Sequence, residues 1–163
     1  MPESKPYPAC VIADPASLEP RIGSSYPEPY RSLSMTREKR ALGNAVGLKN
    51  FGVNLTTLPP GSWSSQRHWH AKQDELIYVV SGEVTLMTDE GETVLSAGMV
   101  AGFKAGDKNG HCLVNRSDRD AQVLEIGDRT PGDSAVYSDI DMQIYDTWPD
   151  GRLRFRHKNG DPY

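Results

Sequence analysis

The sequence predicts an all-β protein, on three observations: apolar residues alternate with polar ones through the middle of the chain, short strand-like runs are separated by Gly, Asp, Asn and Ser, and no long helical pattern intervenes. About eight to ten strands of this kind indicate a sandwich or barrel rather than an α/β fold. At 163 residues the chain is long enough for one core without a staple.

Three segments follow in order. Residues 1–45 form an N-terminal arm studded with proline ("KPYP", "YPEPY"), which opposes regular helix and suits an extended path over the barrel or a partner subunit. Within it, "MTREKRALG" from Met35 has the residues of a short helix, with Gly43 as its stop. Residues 46–130 hold the strand runs "FGVNLTTL", "ELIYVVSGEVTLMTDEGETVLSAG", "HCLVNRS" and "AQVLEIG", with turns at Gly82 and at "TDEGE". Residues 131–163 form a polar, loop-rich C-terminal extension of the same domain.

Charge and hydropathy narrow the partners. The net charge is -4, and there is no basic run of the kind that binds nucleic acid or anionic lipid. No stretch approaches the roughly 18 apolar residues of a membrane helix, and the first residues lack the order of a secretory signal, so a cytoplasmic protein with small-molecule ligands is expected. Cys10 and Cys112 are expected to be thiols.

The chemistry-bearing stretch is "RHWHAKQDE". On a strand, residues two apart share a face, so His68 and His70 project together while Arg67 and Trp69 point the other way. Two imidazoles on one face can bind one ion, although a surface strand can also carry both to solvent. Glu75 lies far enough past His70 to cross a turn and return on an adjoining strand with an oxygen donor. His111 sits in a further strand, "GHCLVN", on the face opposite Cys112.

"GSWSSQRHWHAKQDELIYVVSG" followed by "GMVAGFKAGDKNGHCLVN" resembles the two motifs of the cupin superfamily. In the first, Gly61, His68, His70, Glu75 and Gly82 match with one extra residue after Gly61, and the spacing to Gly82 selects Glu75 over Asp74. In the second, Gly98, Gly106, His111 and Asn115 match, but Lys104 replaces the usual proline and the gap from Gly106 to His111 is longer. "VGLKNFGVNLTTLPPGSWSSQRHWH", "LVNRSDRDAQVLEIGDR" and "FRHKNGDPY" are similar to a subgroup of small bacterial cupins without an assigned reaction.

The resemblance implies a double-stranded β-helix, a jelly-roll barrel, with a metal site of His68, His70, Glu75 and His111 in its mouth, and a homodimer. Three imidazoles and a carboxylate suit one divalent Fe, Mn, Ni, Zn or Cu ion per chain. The expected function is a metal-binding small-molecule enzyme of oxygenase, isomerase or lyase type. The alternative is a non-catalytic binding or sensing module with a structural metal.

Gln66, Tyr78 and Asn115 are weaker candidates for binding substrate. Arg67 and Lys104 are candidate rim cations, Asp74 is a candidate acceptor for a ligand imidazole, and His157 belongs to the tail, a candidate to close the mouth in cis or in trans.

Overall fold

The structure is a computed structural model that describes residues 8–145 and 154–163. Its strands are β1 (Arg21–Ile22), β2 (Glu38–Arg40), β3 (Phe51–Leu58), β4 (His68–His70), β5 (Glu75–Ser81), β6 (Glu83–Thr88), β7 (Gly91–Ser96), β8 (Val100–Phe103), β9 (Cys112–Val114), β10 (Ala121–Asp128), β11 (Ser134–Tyr137), β12 (Gln143–Tyr145) and β13 (Phe155–Arg156). Among the described residues one α-helix, α1 (Leu42–Ala45), interrupts them.

The strands form a six-stranded sheet in the order β1-β2-β3-β10-β5-β8, a four-stranded sheet β13-β12-β11-β4, and a three-stranded sheet β7-β6-β9. This is the jelly-roll arrangement, but among the described residues the sheets do not close into one barrel. Among the described residues β4 meets β9's end of the three-stranded sheet through the isolated bridge His68–His111, and the loop before β4 meets β9 through Trp63–Val114. Backbone hydrogen bonds nonetheless join the two sides where the imidazoles lie, His68 with His111 and Ser64 N with Leu113 O.

The alternation read from the sequence sorts side chains as it should. Ile77 and Val79 of β5 and Val123 of β10 point inward to meet Leu58, Val84, Leu95 and Leu113 in the main core. Leu76, Tyr78 and Val80 take the opposite, exposed face. Gly82 turns the chain from the large sheet into the three-stranded one at φ +74°, and a Cβ there would lie 2.8 Å from Asp120 O. No other residue type fits that corner without displacing backbone.

The flanking segments build a second core. Tyr26 from the arm meets Tyr137 and Phe155 edge-on, each at 5.5 Å between ring centres, with Met142 and Ile144 buried alongside. The arm lies on its own sheet, since β2 pairs antiparallel with β3.

The expected helix from Met35 to Gly43 is not formed. Glu38–Arg40 is strand, because the open edge of β3 offers a full ladder of hydrogen bonds, which a single helical turn cannot match. Gly43 lies inside α1 instead of ending it, and a Cβ on it would come within 3.0 Å of Val53 N. Among the described residues no helix is long and apolar enough to cross a membrane.

Candidate metal centre

Strand parity delivers His68 and His70 to one face of β4, and their backbones are held by β11 on one side. His111 is held opposite His68 by a reciprocal pair of backbone hydrogen bonds, 3.1 and 2.9 Å. Glu75 opens β5, so the intervening residues cross from the four-stranded sheet to the six-stranded one and aim a carboxylate back at the rings.

Three Nε2 atoms converge on one carboxylate oxygen. Glu75 Oε2 lies 2.9 Å from His111, 3.6 Å from His70 and 3.7 Å from His68. The ligand atoms of His68, His70 and Glu75 all lie within 4.8 Å of one another, and His111 joins the group through Glu75. Phe103 stacks flat on the His111 ring and fixes its plane.

The outer nitrogens show that this set suits a cation. His68 Nδ1 lies 2.9 Å from the Gln66 carbonyl, and His70 Nδ1 lies 2.5 Å from Asp133 Oδ2. Carbonyl and carboxylate oxygens only accept, so each Nδ1 carries a proton, and a ring with no second proton turns its Nε2 lone pair inward. Lone pairs facing a carboxylate repel one another until a positive charge sits among them. His111 Nδ1 is buried without a partner among the described residues, leaving Nε2 as its working atom.

The electrostatics agree. Burial pushes the His68 pKa down to about 4 against the pull of Glu75, so this ring stays neutral. Burial would raise Glu75, but the His111 hydrogen bond and the fields of His68 and His70 outweigh it and hold the carboxyl well below the usual range. Burial likewise opposes protonation of His70, yet Asp133 and Glu75 together raise its pKa.

A cavity of about 150 Å³ opens on this group. That is the scale at which an engineered protein cavity accepts a six-carbon ring. One wall carries Ser64, Ser65, His68 and His111; the other, from the large sheet, carries Arg37, Lys39, Glu75 and Glu125, with Tyr26 of the arm between them. A smaller opening that shares Glu75 and His111 with it is lined also by Trp69, His70, Phe103 and Lys104.

The weaker candidates fall elsewhere. Gln66 orients His68 through its carbonyl, while its amide donates to Tyr30 O at 2.8 Å. Tyr78 is on the exposed face of β5. Asn115 is buried and staples a loop by donating to Leu58 O and Arg119 O at 2.6 and 2.7 Å. None of the three lines the cavity.

Asp74 does not touch an imidazole; it accepts from Ala105 N at 2.7 Å, and Asp133 takes the role expected of it. Arg67 is paired with Asp89 and Asp139 and is not a free rim cation. His157 pairs with Asp141 at 2.9 Å and stacks on Tyr163. Asp133, Arg37, Lys39 and Glu125 were not singled out by sequence, because no local spacing connects them to the histidines.

The cupin-domain family model matches residues 54–127. A crystal structure from Silicibacter pomeroyi, described as a sugar phosphate isomerase from a cupin superfamily, is 45% identical over 92% of this chain and 94% of that chain, with a TM-score of 0.87. The chain belongs to the cupin superfamily. A second cupin-like structure, from Acidithiobacillus ferrooxidans and described as a putative sugar phosphate isomerase, is 26% identical over 78% of this chain and 80% of that one, with a TM-score of 0.70. A predicted oxalate decarboxylase from Thermotoga maritima shares the cupin fold at 20% identity, 74% and 100% coverage and a TM-score of 0.59. Comparison with curated proteins gives no match.

Proposed function

We propose that this cupin is a metal-dependent isomerase of a small sugar phosphate. The observation that carries the reading is the position of the imidazole and carboxylate group against a polar cavity, which leaves one side of the group open to a ligand. The Silicibacter relative, 45% identical over nearly its whole length, supports the reaction class. A structural ion would instead need a closed sphere of donors, and the adjoining cavity disfavours it.

His68, His70, Glu75 and His111 would hold the ion. When bound, a divalent ion supplies Lewis acidity toward a carbonyl oxygen of the substrate. Glu125 is the cavity carboxylate outside the ligand group, held by Lys39 at 2.5 Å. We assign to it the transfer of a proton between adjacent substrate carbons. Ser64 and Ser65 offer hydroxyls to the sugar, and the buried walls limit water.

The test is turnover of a panel of aldose and ketose phosphates by metal-loaded protein. Interconversion that stops on chelation, and in Glu125→Gln with metal content unchanged, is the expected result. Metal-replete protein that converts none of them refutes the isomerase.

The exposed apolar face formed by Leu76, Tyr78, Val80 and Val100 supports a homodimer. Light scattering that gives a monomer mass at micromolar concentration refutes that part.

A further inference from the structure

Arg37 is a buried cation that, among the described residues, makes no ion pair, although the field of Glu125 reaches it. It lies just before β2, two residues from Lys39 along extended chain, so both reach the same cavity. Only 6% of its surface is exposed. Its Nε donates to Gly23 O at 3.1 Å, and among the described residues the guanidinium has no ion-pair partner. Lys39, by contrast, is already matched by Glu125.

A guanidinium keeps its charge in proteins, and a buried charge without a partner is costly. Here the unmatched donors border the space left for a ligand. The balance of the cavity has the same sign. Arg37 and Lys39 offset Glu75 and Glu125, so a divalent ion would leave the lining with two positive charges. A phosphate monoester carries about -1.5 to -2 at neutral pH and offers the oxygens that an arginine fork grips in pairs.

We propose that Arg37 is the anion-binding residue of this cavity, gripping the phosphate of a small phosphate monoester whose other end faces His68, His70 and Glu75. This inference rests on the sugar phosphate reading and adds to it which residue recognises the phosphate. It also accounts for the arm. The Arg37–Gly23 hydrogen bond, the Gly23 N to Arg37 O bond at 2.9 Å and the pairing of β1 with β2 hold the arginine in place.

The experiment is calorimetric titration of inorganic phosphate into the full chain at constant ionic strength, in metal-free and metal-loaded forms. The wild type is expected to bind in both forms. Arg37→Gln is expected to weaken binding about tenfold or more, and Arg37→Lys, which keeps the charge but loses the fork, to weaken it less. Melting curves and metal content check that the variants are folded and loaded.

If Arg37→Gln fails to fold, Arg37→Lys decides. A folded variant that binds phosphate like the wild type, or a wild type that binds none, overturns the proposal. Arg37-dependent phosphate binding without isomerase turnover removes the catalytic reading and leaves the anion site. Turnover with KM unchanged in folded Arg37→Lys removes the anion site and leaves the catalytic reading.

Discussion

Asp133→Asn removes one charge from a residue that never faces the cavity, yet it is expected to weaken metal binding about 10–100-fold, or roughly 1.4–2.7 kcal/mol. The magnitude follows from two hydrogen bonds. The Asp133 carboxylate is 3% exposed and accepts from His70 Nδ1 at 2.5 Å and from Lys72 N at 2.7 Å. Asparagine has only one accepting oxygen. If its amide NH2 faces His70, Nδ1 must become an acceptor, the ring proton moves to Nε2, and one inward lone pair is lost. If its oxygen faces His70, the Lys72 N–H is left opposite another donor and loses its hydrogen bond.

Competition against a chromophoric chelator measures the affinity directly. Asp74→Asn is the control, because Asp74 bonds a loop amide and no imidazole, and it should bind metal like the wild type. Asp133→Asn with wild-type affinity would show that the His70 tautomer is not set by this contact.

Other outcomes follow from the same structure. Between pH 6.5 and about 4 the unfolded chain protonates at His68 while the folded metal-free protein does not, so stability should fall with falling pH across that window, by at most roughly 3 kcal/mol. His70 works in the opposite sense, since its raised folded pKa favours folding at low pH and that share is lost as pH rises through it. Urea midpoints should show a shallower acid slope in His68→Gln, and equal slopes would contradict the assignment. Gly82→Ala should cost ~3 kcal/mol or more, seen as a fall in Tm, because its Cβ would meet Asp120 O at 2.8 Å and Ala121 Cα at 2.9 Å at a positive φ; an unchanged Tm refutes the clash. A thiol reagent should label exposed Cys10 in the folded protein and reach Cys112, buried with its thiol pushed up to about 12, only on unfolding. Rapid labelling of both would refute the burial.

The inward face of β5 and the shared direction of His68 and His70 were legible because strand parity is a local property, recorded every second residue. Glu75 was chosen over Asp74 by the resemblance to the cupin motif, through its spacing to Gly82. The "REKR" stretch misled for the opposite reason. Every residue in it is charged, so no alternation shows which side faces in, and helix propensity was read where the edge of β3 imposed a strand.

By itself, then, the sequence determined the all-β class, the turns and the shared face of His68 and His70, since each depends on near neighbours along the chain. Glu75 and His111 entered as ligand candidates through the resemblance to the cupin motifs. Only the tertiary structure decided what surrounds those candidates: His111 set opposite His68 across the β4–β9 seam, Asp133 brought to His70 from 63 residues away, and Arg37 and Glu125 carried into one cavity by the order of strands in the large sheet. The physical reason is that partners across sheets are chosen by packing and register, and these leave no fixed spacing in the chain.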